Sequence, residues 1–330
     1  MGLPACLDGQ LSLPLIAAPM FLASGPDLVI ACCKAGIVGT FPAKNQRTLD
    51  GLESWLQEIT QGLQTLHAET GKKPAPFGVN LIVHRTNNIL QEELELCRRY
   101  EVPLIITSLG AVPDLVESVH SYGGSVFHDI VNLRHAQKAI DAGVDGIIAV
   151  SAGAGGHSGQ ASPFGLVGEI KQMFDGSIIL SGALSTGQDI AAARTMGADL
   201  AYMGTRFINT AECLASDSYK EMIAAANMDD ILLTDKLTGV KANFIRQSLE
   251  QAGMDPDDLS DHGVMDIDKE LSEALDPKQN SAKPWRDLWS AGHGVGQIKS
   301  SLPVGALVAQ LKAEFHHASI AQFEDSQKYK

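Results

Sequence analysis

Gly146-Ile-Ile-Ala-Val-Ser-Ala-Gly-Ala-Gly-Gly-His-Ser-Gly-Gln160 is the stretch whose reading decides the fold. It opens with an apolar run of strand length that does not alternate, the pattern of a strand covered on both faces. The ten residues after Val150 hold four glycines and two alanines around a single imidazole, His157. An amphipathic stretch at 163–174 follows. Strand, small-residue loop and helix together make one βα unit.

Working outward, the same unit recurs. Apolar runs at 15–20, 37–42, 77–83, 104–109 and 125–131 precede it, and runs at 178–180 and 200–208 follow. Helical patterns separate them at 27–34, 52–66, 89–99, 113–122, 133–142 and 188–196. Eight buried strands alternating with helices imply parallel pairing and right-handed crossovers. An open doubly wound sheet is the alternative, but no Gly-x-Gly-x-x-Gly follows the first strand. The expected fold is α/β, a (β/α)8 TIM barrel with an inserted helical subdomain after strand 8.

Past residue 208 the rhythm breaks. Helices are expected at 216–227 and 241–252, an acidic turn-like stretch at 254–268, and a helical turn at 271–275. Trp285 and Trp289 read as packing anchors of a returning segment. An apolar helix at 304–315 docks back on the barrel, and 322–330 is expected to fray. The expected division is therefore 11–210 with 291–320 as barrel, and 211–290 as a helical substrate or lid subdomain.

The 330 residues carry a net charge of −14 with no Lys/Arg-rich run, which excludes a protein that tracks nucleic acid. Cys6, Cys32, Cys33, Cys97 and Cys213 show no metal-ligand spacing. They read as reduced thiols of a cytoplasmic protein, with the adjacent Cys32 and Cys33 packed in a helix. The run at 11–20 is too short, and too interrupted by Pro14 and Pro19, to span a bilayer. A homodimer is compatible with the sequence, which does not specify the oligomeric state. His316-His317 lacks a third ligand, so no metal site is expected.

In such a barrel the chemistry sits at the C-terminal ends of the strands. The loop at 151–160 allows close backbone approach to a ligand and presents His157 to it; an idle surface loop would carry more Ser, Asp, Asn and Lys. Ser181-Gly-Ala-Leu-Ser-Thr-Gly-Gln188 and Met203-Gly-Thr-Arg-Phe207 occupy the positions where barrels build phosphate sites. Gly182, Ala183, Gly204 and Thr205 offer amides there, and Thr205 a hydroxyl. Each glycine alone reads better as turn geometry; the pair of loops carries the signal. His84 and Arg85, and Asp235, Lys236 and Lys241, are explained as well by solvated surface as by a site.

These motifs resemble, in order from about residue 11 to 312, the nitronate monooxygenase family of FMN-dependent barrel flavoenzymes. Ala17-Ala-Pro-Met20 and Gly78-Val-Asn-Leu81 are similar to its flavin-contacting strands. Ala154-Gly-Gly-His-Ser-Gly159 is similar to its catalytic-histidine motif, and Trp289-Ser-Ala-Gly-His-Gly-Val-Gly296 to its late flavin-side loop. The resemblance implies Pro19, Met20 and Asn80 at the flavin ring. It implies Gly155, Ser181, Gly182, Ala183, Met203, Gly204 and Thr205 around the FMN phosphate, and His128 near the pyrimidine. It makes His157 the base that takes the α-proton of a neutral nitroalkane, with dioxygen completing conversion to a carbonyl compound and nitrite. Related barrels imply two alternatives, an NAD(P)H-dependent reductase of quinones or enoyl thioesters and a flavin-binding accessory protein. The sequence departs from the family twice. His128-Asp129 stands where bacterial relatives often have His-Lys, so Asp129 is expected to face away from the flavin. His293 replaces a usual glutamine and would add a titratable group near the site.

Overall fold

The computed structural model describes residues 2–110, 112–259 and 286–330. Eight parallel strands close into a barrel: β1 (Leu15–Ala17), β2 (Val38–Pro42), β3 (Phe77–Ile82), β4 (Leu104–Ser108), β5 (Ser125–Ile130), β6 (Gly146–Val150), β8 (Ser177–Ser181) and β9 (Leu200–Met203). The two-residue β7 (Gly156–His157) lies outside this ring. The barrel helices are α1 (Pro26–Ala35), α2 (Leu49–Thr70), α3 (Leu90–Arg99), α4 (Pro113–His120), α5 (Leu133–Asp141), α6 (Pro163–Met173) and α7 (Gly187–Met196). The expected barrel is what forms.

The non-alternating strand runs are explained by two packed surfaces. Ile16, Val38, Leu104, Ile106, Phe127, Ile148, Ile179 and Leu200 fill the barrel interior, with Leu7 packed among them. The intervening residues, among them Val79, Ile105, Val126, Ile147 and Ile178, pack outward under the helices. Each strand is thus apolar on both faces. Cys32 and Cys33 are fully buried in α1, and all five cysteines are free. No described helix is long and apolar enough to cross a membrane.

Three expectations need correction. The run 200–208 is not one strand: β9 stops at Met203 and Thr205–Ile208 turns into a short helix, α8. The stretch 241–252 is not one helix: β11 (Ala242–Ile245) precedes α10 (Arg246–Gln251). Its Asn-Phe-Ile core pairs antiparallel with β10 (Ile231–Thr234) and with β7. The described part of the segment after the barrel therefore contains a hairpin as well as the helix α9 (Asp217–Ala225). The C-terminal helix runs Val304–Ser326, so the tail does not fray at 322. It packs against α7 and α1 and buries Val304, Leu307, Val308 and Leu311. The expected turn at 271–275, most of the acidic stretch 254–268 and Trp285 lie outside the described residues. Trp289 is an anchor as expected, stacked on Tyr219 at 5.0 Å between ring centroids.

Candidate active site

A cavity of about 660 Å³ opens at the C-terminal ends of the barrel strands. The last residues of β2, β3, β4, β5, β6 and β8 line it, as Pro42, Ile82, Ser108, Ile130, Val150 and Ser181. Of the residues singled out from sequence, it brings together Pro19, Met20, Asn80, His128, Gly155, His157, Ser181, Gly182, Ala183, Gly204 and Thr205. Met203 is not among them. Alternation along β9 puts Tyr202 on the interior face and turns Met203 into the outer core with Leu15 and Ala17. His293 also stays off the lining, although its neighbours Gly292 and Gly294 are on it. It lies against Gly153, where an added Cβ would come within 3.1 Å of the His293 Nδ1.

His157 is held by strand pairing. β7 pairs antiparallel with β11, His157 opposite Ala242 and Gly156 opposite Asn243. The Ser158 amide donates to the Lys241 carbonyl at 3.1 Å, and the fully buried Asn243 donates through Nδ2 to the Ala154 carbonyl at 2.7 Å. The small-residue loop that presents His157 is therefore clamped by the segment that follows the barrel. Asn243 was missed in the sequence because its strand read as helix. The His157 side chain is exposed and lines the cavity, yet the surrounding protein lowers its pKa from 6.5 to about 4 by desolvation. The ring is encircled by protein but not packed into it, so water in the cavity softens that depression.

The opposite correction falls on β5. Phe127 belongs to the barrel interior and Val126 to the outer layer, so period-two alternation puts Asp129 inside and His128 outside. Asp129 faces the cavity; it does not turn away. Ser108 Oγ donates to its Oδ2, and Asn80 Nδ2 donates to Ser108 Oγ at 2.8 Å. Burial raises Asp129 from 3.8 to about 6, opposed by the Ser108 hydrogen bond. His128 is buried, 2.8 Å from the Thr107 hydroxyl through Nδ1, and desolvation lowers its pKa to about 4. It too lines the cavity, as a neutral group.

Several features fit a flavin phosphate and ring. A Cβ on Gly155 would sit 2.8 Å from the Gly292 amide nitrogen and 3.0 Å from Thr205 Oγ1, so only glycine admits this backbone-to-backbone wall. Gly182 has φ 131°, a left-handed conformation that favours glycine, and a Cβ there would meet Ser151 Oγ. Thr205 Oγ1 accepts from the Gly292 amide at 3.0 Å, which leaves its own hydrogen to donate. Ser185 Oγ lines the same wall, buried and with no hydrogen-bond partner among the described residues, and sequence reasoning passed over it. Such an orphan is costly unless a ligand or water satisfies it. The Ala183 amide is already used, donating to the Gly153 carbonyl at 3.2 Å. The loop itself is set by a capping box in which Asp189 accepts from the Ser185 and Thr186 amides at 2.8 Å. On the ring side, both hydrogens of Asn80 Nδ2 are spent on Ile106 O and Ser108 Oγ. Asn80 therefore presents its Oδ1 to the cavity, as an acceptor.

The sequence pattern of the nitronate monooxygenase family matches residues 8–314. The chain belongs to the nitronate monooxygenase family. Among curated relatives, a (3aS,4S,5R,7aS)-5-hydroxy-7a-methyl-1-oxo-octahydro-1H-indene-4-carboxyl-CoA dehydrogenase of Rhodococcus jostii is 28% identical over 244 residues, 73% of this chain and 65% of that protein. The chain thus spans slightly under two thirds of the length of this relative. A nitronate monooxygenase of Paraburkholderia phytofirmans is 25% identical over 91% of this chain and 92% of its own. Among solved structures, FabK from Thermotoga maritima superposes with a TM-score of 0.78 at 24% identity, covering 98% of this chain and 97% of its own, a likeness of fold.

Proposed function

We propose that this chain is an FMN-dependent oxidoreductase that converts a nitroalkane or nitronate, with dioxygen, to a carbonyl compound and nitrite, using His157 as general base. The observation that carries the proposal is His157 itself, strand-clamped at the wall of a glycine-framed cavity. Family membership and the Paraburkholderia relative support the reaction class.

In this reading Gly155, Gly182, Gly204, Thr205, Ser181 and Ser185 hold the FMN phosphate, and Pro19, Met20 and Asn80 face its ring. The bound flavin supplies the oxidation–reduction chemistry. The chain's own part is to bind, to orient and to move one proton. With its pKa lowered to about 4, the imidazole is neutral at physiological pH and ready to accept. The same depression makes it by itself a weak base. A developing nitronate anion beside it favours the imidazolium and restores basicity where the proton is transferred. The described part of the segment 211–290, whose β11 pairs with β7 and which lines the cavity through Tyr219, Val240 and Ser290, serves as the substrate-side wall. A cytoplasmic location belongs to the same reading.

Replacement of His157 by Asn should lower turnover of a neutral nitroalkane by about 10²–10⁴-fold while sparing the preformed nitronate. Equal losses on both substrates would remove His157 as the base. One observation favours a second reading, redox chemistry on a CoA thioester with a pyridine nucleotide as the other redox partner: the Rhodococcus relative is named a dehydrogenase of a CoA thioester. Anaerobic stopped-flow separates the two. Rapid bleaching by NADH or NADPH, with no response to propyl-2-nitronate, would replace the oxidase reading by the reductase one.

A further inference from the structure

We propose that Asp129 sets the redox potential of the bound flavin, its carboxylate at the cavity floor disfavouring the reduced, anionic cofactor. This rests on the flavin reading above. It goes beyond that reading by giving a role to an acid that proton abstraction does not use.

The geometry comes first. Asp129 projects from β5 into the barrel mouth, on the face it shares with Phe127. The packed neighbours on that face offer it no cation. β4 contributes Ser108, whose hydroxyl donates to it; β3 contributes Asn80, which acts through Ser108. β6 contributes the apolar Ile148 and Val150, and β9 contributes Tyr202, close enough that the Asp129 charge helps raise the phenol's pKa further. Among the described residues no Lys or Arg forms an ion pair with Asp129. Elsewhere on the cavity wall, Lys44 pairs with Glu93 at 3.3 Å, and His135 and Lys138 project from α5. His128 and His157 are held neutral. The carboxylate is thus a partly buried charge without an ionic partner among the described residues, in the cavity that fits the cofactor.

The consequence is electrostatic. A fixed negative charge in a medium of low effective dielectric opposes the arrival of another, so it makes a reduced anionic ligand less favourable than an oxidised neutral one. A protonated carboxyl exerts no such effect. Because Asp129 exchanges its proton near pH 6, the effect is present above that pH and absent below it.

The test uses the FMN-loaded protein. Midpoint potentials are measured by spectroelectrochemistry below and above pH 6 for wild type and Asp129→Asn, with FMN uptake followed by fluorescence quenching. The two potentials should coincide at acid pH, with wild type becoming the more negative as pH rises. Should Asp129→Asn not fold, Ser108→Ala serves in its place. It removes the hydrogen bond that favours the carboxylate, and should move the break in the wild-type profile to higher pH. Parallel profiles, or an unmoved break, overturn the role of Asp129 and leave the flavin reading intact. A folded chain that takes up no FMN overturns both.

Discussion

Two levels of the same barrel differ by one pleat. At the lower level the inward residues are Ile106, Phe127, Ile179 and Leu200, and they are fully buried. Two residues further along the same strands, on the same face, stand Ser108, Asp129, Ser181 and Tyr202, which line the cavity. The rise between the levels is only about 7 Å, two residues of extended chain. Below, side chains fill space and hold the strands in a closed ring. Above, polar groups face a void, and Asp129 carries the energetic cost of that position as a raised pKa. Stability and chemistry are thus stacked along one set of strands, and substitutions at the two levels should have different effects.

Phe127→Ala, at the lower level, should have the largest effect. It removes a fully buried ring and should destabilise the fold by about 3–5 kcal/mol, read as a lower midpoint in urea unfolding. A loss below about 1 kcal/mol would mean that the interior is not the packed layer described. At the upper level, Gly155→Ala should act chiefly on the ligand. Its Cβ presses on the Gly292 amide and Thr205 Oγ1, an overpacking cost of about 1–3 kcal/mol. FMN affinity should fall by more than the unfolding midpoint moves, and unchanged affinity would remove this wall from the phosphate site. The smallest effect is a pH dependence. Asp129 has a folded pKa above its ordinary value, so its contribution to stability is fully present below pH 3.8 and lost as pH rises through about 6. Asp129→Asn should therefore match wild type at acid pH and exceed it slightly in stability above pH 6. Urea titrations at both ends check this, and a wild type that stays the more stable at alkaline pH contradicts it.

The barrel was legible in the sequence because strands covered on both faces are apolar at every position, and eight such runs separated by helices leave few topologies. That same property hid which way each residue points. With no alternation in Ser125–Ile130, nothing in the residue types shows which face turns into the barrel, that of Phe127 and Asp129 or that of Val126 and His128, and the expectation that Asp129 faces away was overturned. The His157 loop was legible from its glycines, and so were most of the loops that line the cavity. Its clamp was not. Ala242–Ile245 is four residues long and leads directly into α10, so a helical period could be drawn through both. Its pairing with β7 joins residues more than eighty positions apart, a relation that no local pattern carries.

The pairing of β7 with β11 has a consequence for how this protein could be altered. Exchanging the segment after the barrel for that of another family member would seem to change only which substrates fit. Here the transplant would also replace the strand against which His157 is registered, together with Asn243, which anchors its loop. If His157 is the base, as proposed, substrate choice and placement of the base are inherited together. A chimaera must carry Gly156-His157 and Ala242-Asn243 as one cassette, or select the two halves jointly.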